Sequence, residues 1–341
     1  MTPEPMGEIA VREMPDPPRG IGEIIIRVHA ASVNRLDRAV YEGTAMGGVA
    51  RFPLIQGIDA AGRVETGTGP YPEGMRVVVK PTIACNRCRM CRRGRQVDCA
   101  RSKTFGIHRQ GGYADLLAVP RSNLFALPDE VTFAEGAVAA HSHAVVLRMI
   151  RAAGELPRDA RVMVTGAGGA LGTAAVQILS ALGKSVIAVA SSNAKLELAG
   201  DIGASMLANR ADLGSGFVEA IRGATDGEGV DVVIETTGAQ EVIGDGLRLL
   251  ARGGTMVLVA AQPGARVELD PLALYRNRQR VIGSSGAGRQ DFVDTFTMLV
   301  DHDIRPVISA TFPLAEAQAA MDSVLDRERI GKAVIDMEAS G

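Results

Sequence analysis

The stretch RVMVTGAGGALGTAAVQILSAL, residues 161–182, limits the fold more than any other part of this chain. An apolar β-type run, RVMVT (161–165), passes through a glycine-rich turn into a helical pattern, TAAVQILSAL (173–182). The alternation continues: SVIAVA (185–190) precedes NAKLELAGDIG, VDVVIE (230–235) precedes VIGDGLRLLA, and TMVLVA (255–260) follows. Strands this apolar belong in a parallel sheet covered by helices on both faces. The segment from about 160 to 283 therefore predicts an α/β domain with a doubly wound parallel sheet of the dinucleotide-binding, Rossmann type.

Glycines stand at 166, 168, 169 and 172, and a strict G-x-G-x-x-G from Gly166 fails at Leu171. The spacing that fits is Gly166, Gly169 and Gly172, serving a tight turn, a close backbone approach and helix–strand packing. N–H groups at the helix start, those of Ala170 and Leu171, would receive a pyrophosphate. Ala260, ending TMVLVA, is a further cofactor-binding candidate. An NAD site would carry an acid about 20 residues on, at the end of the second strand. Here that strand ends Ala190-Ser191-Ser192-Asn193, and the first acid, Glu197, is already inside the next helix. Ser191, Lys195 and Arg210 are suited to a 2′-phosphate. NADPH is expected over NADH.

All four cysteines, Cys85, Cys88, Cys91 and Cys99, lie within fifteen residues, spaced C-x2-C-x2-C-x7-C. Four thiolates in one loop suit a tetrahedral zinc with no vacant position, which makes the site structural and not catalytic. Arg87, Arg89, Arg92, Arg93 and Arg95 offset its negative charge. An iron–sulfur cluster is the main alternative, although its run places the next cysteine after about three residues, followed by proline. A redox disulfide is the other.

Residues 20–120 are rich in short β runs broken by Gly and Pro, among them EIIIRVHAASV, AAGRVE, MRVVVKP and ADLLAVP, which predicts an irregular, barrel-like β domain. A net charge of −2 gives no reason to expect nucleic acid or an anionic membrane. No apolar run approaches the roughly 20 residues of a membrane span, and the acid- and proline-bearing start is unlike a signal peptide. A cytoplasmic protein acting on a small molecule is expected.

A β domain with a four-cysteine lobe ahead of a glycine-loop nucleotide domain resembles the medium-chain dehydrogenase/reductase superfamily, which includes zinc alcohol dehydrogenases and quinone reductases. The resemblance runs nearly end to end, through AASVNRLD, GGYADLLAVPRSNLFALPDEVTFAEGA, GVDVVIETTG and FPLAEAQAAMDSVLDRERIGKAVI. It implies a GroES-like catalytic domain over 1–135 with its zinc lobe at 85–99, a nucleotide domain over 136–283, and a return to the first domain over 284–341. It also implies a homodimer or homotetramer.

In that family a second, catalytic zinc is held by a Cys, a His-Glu pair and another Cys. Fitted by the flanking motifs, these positions are Asn34, Ile58-Asp59 and His141, and the proton-relay hydroxyl falls at Leu36. Asp59, His141 and His143 are acceptable metal donors, but His141 and His143 are two apart and do not share a helix face. Without a Lewis acid, a conjugated alkene or a quinone is a better hydride acceptor than a simple carbonyl. The resemblance carries Asn34, Tyr41, Asp59 and His141 to the cleft as catalytic candidates. Asn34 is expected to hydrogen-bond the substrate carbonyl and His141 to donate a proton near neutral pH, while Asp37 ties down local backbone. Two alternatives remain: an alcohol or carbonyl dehydrogenase with an atypical or absent metal, and an NADPH-binding protein without catalysis.

Overall fold

The computed structural model describes residues 9–44, 52–262 and 264–339. Along the chain run β1 (Glu23–Ser32), α1 (Arg35–Tyr41), β2 (Ala60–Val64), β3 (Arg76–Val79), β4 (Thr82–Ile83), α2 (Arg89–Arg92), β5 (Lys103–Thr104), β6 (Leu116–Pro120), β7 (Leu124–Ala126) and α3 (Phe133–Ala153). Next come β8 (Arg161–Thr165), α4 (Ala170–Ala181), β9 (Ser185–Ala190), α5 (Asn193–Asp201), β10 (Met206–Asn209), α6 (Arg210–Leu213), α7 (Phe217–Ala224), β11 (Val230–Glu235), α8 (Gln240–Leu249), β12 (Leu250–Leu258), α9 (Pro271–Asn277) and β13 (Arg280–Gly283). The chain finishes with α10 (Arg289–Asp301), β14 (Ile308–Pro313), α11 (Ala317–Asp322) and β15 (Lys332–Asp336).

Two compact units result, Met1–Ala144 with Ala287–Gly341, and Val145–Gly286. The first boundary falls inside α3, after residue 144 and not after 135 as the change of sequence texture suggests, because one continuous helix carries the chain out of the β region. The second falls after 286, three residues beyond the expected 283.

The first unit is built on a seven-stranded sheet in the order β14-β15-β1-β2-β3-β7, with β6 also pairing β1. Strand β1 buries Ile24, Ile26 and Val28 on one face, the period-two pattern of a strand with one core side. These pack with Val77, Val79, Leu117 and Val119. A bulge between Val28 and Ala30 shifts the register of β1 against β2 and bends it just before the site residues begin. The C-terminal β15 pairs antiparallel with β1, Ala31 opposite Ile335 and Ser32 opposite Val334. This pairing brings Lys332 into the core of the unit, where it is 2% exposed.

The second unit has the expected parallel sheet, in the order β10-β9-β8-β11-β12-β13. Val162, Val164, Val186 and Ile234 are fully buried, which is why these strands show no polar alternation. The strand order reverses between β8 and β11, and ligands of such sheets bind at the carboxyl ends there. Among the described residues no helix is long and apolar enough to cross a membrane.

Candidate functional site

At the end of β8 the turn reverses at Gly166, whose φ of +65° favours glycine. A Cβ on Gly172 would come within 2.0 Å of the Gly166 carbonyl oxygen, so Gly172 allows the start of α4 to close on the turn. Gly169 is the N-cap and its N–H bonds the Gly166 oxygen at 2.9 Å. The N–H groups of Ala170 and Leu171, in the first turn, have no acceptor within the helix and remain for a pyrophosphate. Across the switch point, the fully buried Glu235 accepts the Thr237 N–H at 2.9 Å, the Gly238 N–H at 3.0 Å and the Thr165 hydroxyl at 3.1 Å. That carboxylate fixes the ETTG turn beside the glycine loop, where a Cβ on Gly166 would touch the Thr236 hydroxyl.

Of the 2′-phosphate candidates, Ser191 is exposed just past β9, and Lys195 is buried with its stem over Gly168, 2.5 Å from where a Cβ would stand. This contact accounts for the fourth glycine, which spacing left without a role. Arg210 does not fit its expected role. Its Nε and Nη2 bond Asp245 Oδ2 at 2.9 and 2.6 Å, a pairing that withdraws the guanidinium from a phosphate. Ala260 lies beyond the end of β12 at Leu258, where Gly238 (φ +67°) lets the two loops touch.

In the first unit the chain assembles a buried polar cluster. Asp59 accepts the Ser32 N–H at 2.7 Å, the Ser32 hydroxyl at 2.6 Å and Asn34 Nδ2 at 3.0 Å, and it faces the Lys332 ammonium at 3.6 Å. Lys332 also donates to Ser142 Oγ at 3.2 Å. Burial pushes the Lys332 ammonium below its ordinary pKa, against the pull of Asp59 and Asp37. Tyr113 donates to the Ser32 carbonyl at 3.2 Å; burial, helped by Asp37 and Asp59, raises its pKa well above the usual value.

The cluster corrects two expectations. Asn34 spends both amide protons, one on Asp59 and one on the Ser32 carbonyl at 3.2 Å, so it has no donor left for a substrate carbonyl. Burial and the charge of Lys332 push His141 down to about 3, so at neutral pH it holds no acidic proton to give. Tyr41 stands apart at the end of α1 beneath Arg38, 5.1 Å from guanidinium carbon to ring centroid. The sequence also offers the loop YEGTAMGGVARF (41–52) as a lining of the substrate site, and its residues 45–51 lie outside the described residues. Lys332, Ser32, Ser142 and Tyr113 were not singled out from sequence.

Asp37 does tie down backbone, accepting the N–H groups of Asn34 at 2.8 Å and Ile58 at 3.1 Å. Burial, then repulsion from Asp59, raises its carboxyl from 3.8 to about 7. The folded chain thus holds this proton more tightly than the unfolded chain, and the resulting stability is full below about pH 4 and lost as pH rises through 7. Chemical denaturation should show the parent losing about 2.5 kcal/mol more than Asp37→Asn between pH 5 and 8. Equal slopes would remove Asp37 as the titrating group.

The four cysteine sulfurs lie within 4.8 Å of one another. Separations of 3.5 Å (Cys88 to Cys91), 3.9 Å (Cys88 to Cys99) and 4.0 Å (Cys85 to Cys91) bracket the edge of about 3.8 Å that a tetrahedron with Zn–S bonds of about 2.3 Å requires. The Arg87 N–H lowers Cys85 to about 6 and the Cys91 N–H lowers Cys88, whereas burial raises Cys91 to about 12. Arg95 pairs with Asp98 at 2.6 Å.

A family profile described as zinc-binding dehydrogenase matches residues 170–301, and another, the alcohol dehydrogenase GroES-like domain, matches 20–129. The chain belongs to the zinc-containing alcohol dehydrogenase-like group of the medium-chain dehydrogenase/reductase superfamily. An NAD-dependent alcohol dehydrogenase of Sulfolobus acidocaldarius is 29% identical over 96% of both chains. An acryloyl-coenzyme A reductase of Metallosphaera sedula is 27% identical over 95% of both. The crystal structure of a zinc-binding dehydrogenase from Sinorhizobium meliloti 1021 bound to NADP superposes with a TM-score of 0.88 at 28% identity, covering 97% of this chain and 96% of that one. As a medium-chain dehydrogenase/reductase the protein is an oxidoreductase with a nicotinamide cofactor, and its four-cysteine cluster fits a structural zinc.

Proposed function

We propose that the protein delivers hydride from NADPH to the β-carbon of an activated alkene, or to a quinone, without a catalytic metal. The observation that carries this reading is Asp59. At the position where the superfamily's alcohol dehydrogenases bring a carboxylate toward their catalytic zinc, Asp59 is enclosed by protein donors from Ser32 and Asn34, with an ammonium alongside. Its neighbour Ile58 is apolar and 1% exposed.

A bound nicotinamide supplies the hydride. Reduction of a simple carbonyl concentrates charge on one oxygen, which a metal would stabilise by several kcal/mol. A conjugated acceptor spreads that charge, and a hydrogen bond then suffices. His141, kept neutral, retains one N–H and serves as hydrogen-bond donor to the developing enolate oxygen, while solvent provides the proton. NADPH is favoured because no acid follows β9, where Ser191 and Lys195 stand, and because the Sinorhizobium relative is bound to NADP. The acryloyl-coenzyme A reductase supports an alkene substrate. The NAD-dependent relative favours a second reading, an alcohol or carbonyl dehydrogenase.

Initial rates of NADPH oxidation with enones, enoyl thioesters, quinones and saturated aldehydes separate the two. Turnover confined to the conjugated substrates is expected, and turnover of aldehydes alone would overturn the reading. Ser191→Asp should lower the ratio of kcat/KM for NADPH over NADH by about 10–100-fold, since the new carboxylate repels a 2′-phosphate. An unchanged ratio would place the specificity elsewhere.

A further inference from the structure

In the first unit the sheet ends at β7, and among the described residues no strand pairs with its far edge. The register against β3 shows which backbone groups that edge leaves open. Val77 faces Ala126, Val78 faces Phe125 and Val79 faces Leu124. Just outside this ladder, the Lys80 N–H donates to the Asn123 carbonyl at 2.8 Å and the Leu127 N–H to the Arg76 carbonyl at 3.0 Å. Antiparallel pairs alternate between bonded and unbonded, so Phe125 exchanges its bonds with Val78, whereas Leu124 and Ala126 turn their N–H and C=O away from β3. Leu124 finds partners there: its N–H bonds the Arg121 carbonyl and its C=O lies 3.4 Å from the Tyr71 hydroxyl. Ala126 is exposed and has no such partner among the described residues. Pro128 limits the edge beyond it, having no N–H to offer.

Beside this edge lies a groove of about 500 Å³ between β7 and α10. Helix α10 packs on the strand through Phe292, whose ring centroid is 4.7 Å from that of Phe125. A second apolar stripe on the helix, Val293, Phe296 and Val300 at i, i+3 and i+7, lines the groove. Val293 and Val300 are 38% and 37% exposed, and apolar side chains gathered around one cavity mark a docking surface more than the same residues scattered would. The rim is acidic. Glu130 and Asp301 have no ion-pair partner among the described residues, since the nearby Arg305 pairs with Asp303 at 2.7 Å and Arg76 with Asp129 at 3.3 Å. Asp301 also ends α10, which has no basic residue in its last turn, so the negative end of the helix adds to both carboxylates.

We propose that this groove receives an extended segment of another protein, with apolar side chains at alternate positions, a Lys or Arg beside Glu130 and Asp301, and one residue paired with Ala126. Backbone pairing aligns such a segment, and the groove reads its alternate side chains. The charges select the occupant. A two-fold contact with a second copy would bring the same acidic rim from both sides, and an anionic membrane would be repelled. The surface is independent of the proposed reaction.

The test selects a phage-displayed library of random heptapeptides on the full chain and measures the enriched peptide, made with a fluorophore, by anisotropy. Enriched peptides should alternate apolar residues and carry Lys or Arg at one end. Val300→Asp should weaken binding by about tenfold or more. Glu130→Gln combined with Asp301→Asn should weaken it by about fivefold at low salt, an effect that fades as salt rises. Methylating the peptide's backbone nitrogens one at a time should cost about fivefold at the position that pairs with Ala126. All three altered side chains are exposed, so the variants should fold; if Val300→Asp does not, the acid pair decides. No enriched peptide, an enriched peptide without a cation, equal binding by parent and variants, or indifference to every methylation overturns the site. Sedimentation velocity should give parent and Val300→Asp the same mass, and a parent assembly that falls apart in the variant would make the groove a contact between copies of this chain and overturn the proposal. Binding to phosphatidylglycerol vesicles that Val300→Asp abolishes would overturn it in favour of a lipid surface.

Discussion

Lys332→Met should cost about 3–5 kcal/mol of stability, because it leaves the Asp59 carboxylate buried without its cation. Asp59 is 1% exposed and Lys332 2%, so water cannot replace the lost partner. The Ser32 and Asn34 donors stay, yet they satisfy a charge that nothing then neutralises. Asp59→Asn in the same chain should recover part of the loss, since a neutral amide needs no cation and can still accept the Ser32 N–H, although its NH2 then faces the Asn34 donor. Urea unfolding followed by far-ultraviolet circular dichroism measures both variants, and the chain has no Trp to follow by fluorescence. A single variant as stable as the parent, or a double variant no better than the single, would contradict the assigned pairing.

The zinc lobe offers an effect of comparable size in a different observable. Cys99→Ser should reduce bound zinc from one per chain to nearly none, because three thiolates and a hydroxyl close the tetrahedron poorly. Little beyond the metal would hold the lobe shut: apart from Cys91 and Cys99 its side chains from 85 to 99 are half-buried or exposed, and its helix α2 has four residues. Five arginines make it a trypsin target once it opens. Each 1.4 kcal/mol of lost closure multiplies the open population about tenfold, so cleavage between Cys85 and Cys99 should speed up on the order of a hundredfold. The cores of both units are separate from the lobe and should stay folded. Unchanged cleavage with zinc lost would mean that the metal does not hold the loop.

What the sequence made legible was local. The β8 to α4 turn and the cysteine lobe each lie within about twenty consecutive residues, and their chemistry follows from spacing that the structure keeps. The Lys332–Asp59 pair joins residues near opposite ends of the chain, and a lysine between Gly331 and Ala333 in an apolar strand gives no sign of what it will face. Arg210 misled for the same reason: its cationic charge was visible, but Asp245 on α8, which claims it, was not. Asn34 and Asp59 were found through resemblance to the family's zinc-ligand positions. Only the geometry shows that Asn34 gives its amide protons to Asp59 and the Ser32 carbonyl and not to a substrate. His141 was given the ordinary pKa of its residue type, and burial beside a lysine removed it.

The central claim is that the reaction runs without a catalytic metal, and zinc content measured on active protein tests it most directly. After brief treatment with a chelator, protein that still reduces a conjugated alkene at its original rate should contain one zinc per chain, held by Cys85, Cys88, Cys91 and Cys99. Loss of turnover on chelation while that zinc remains, with recovery when metal is returned, would contradict the account.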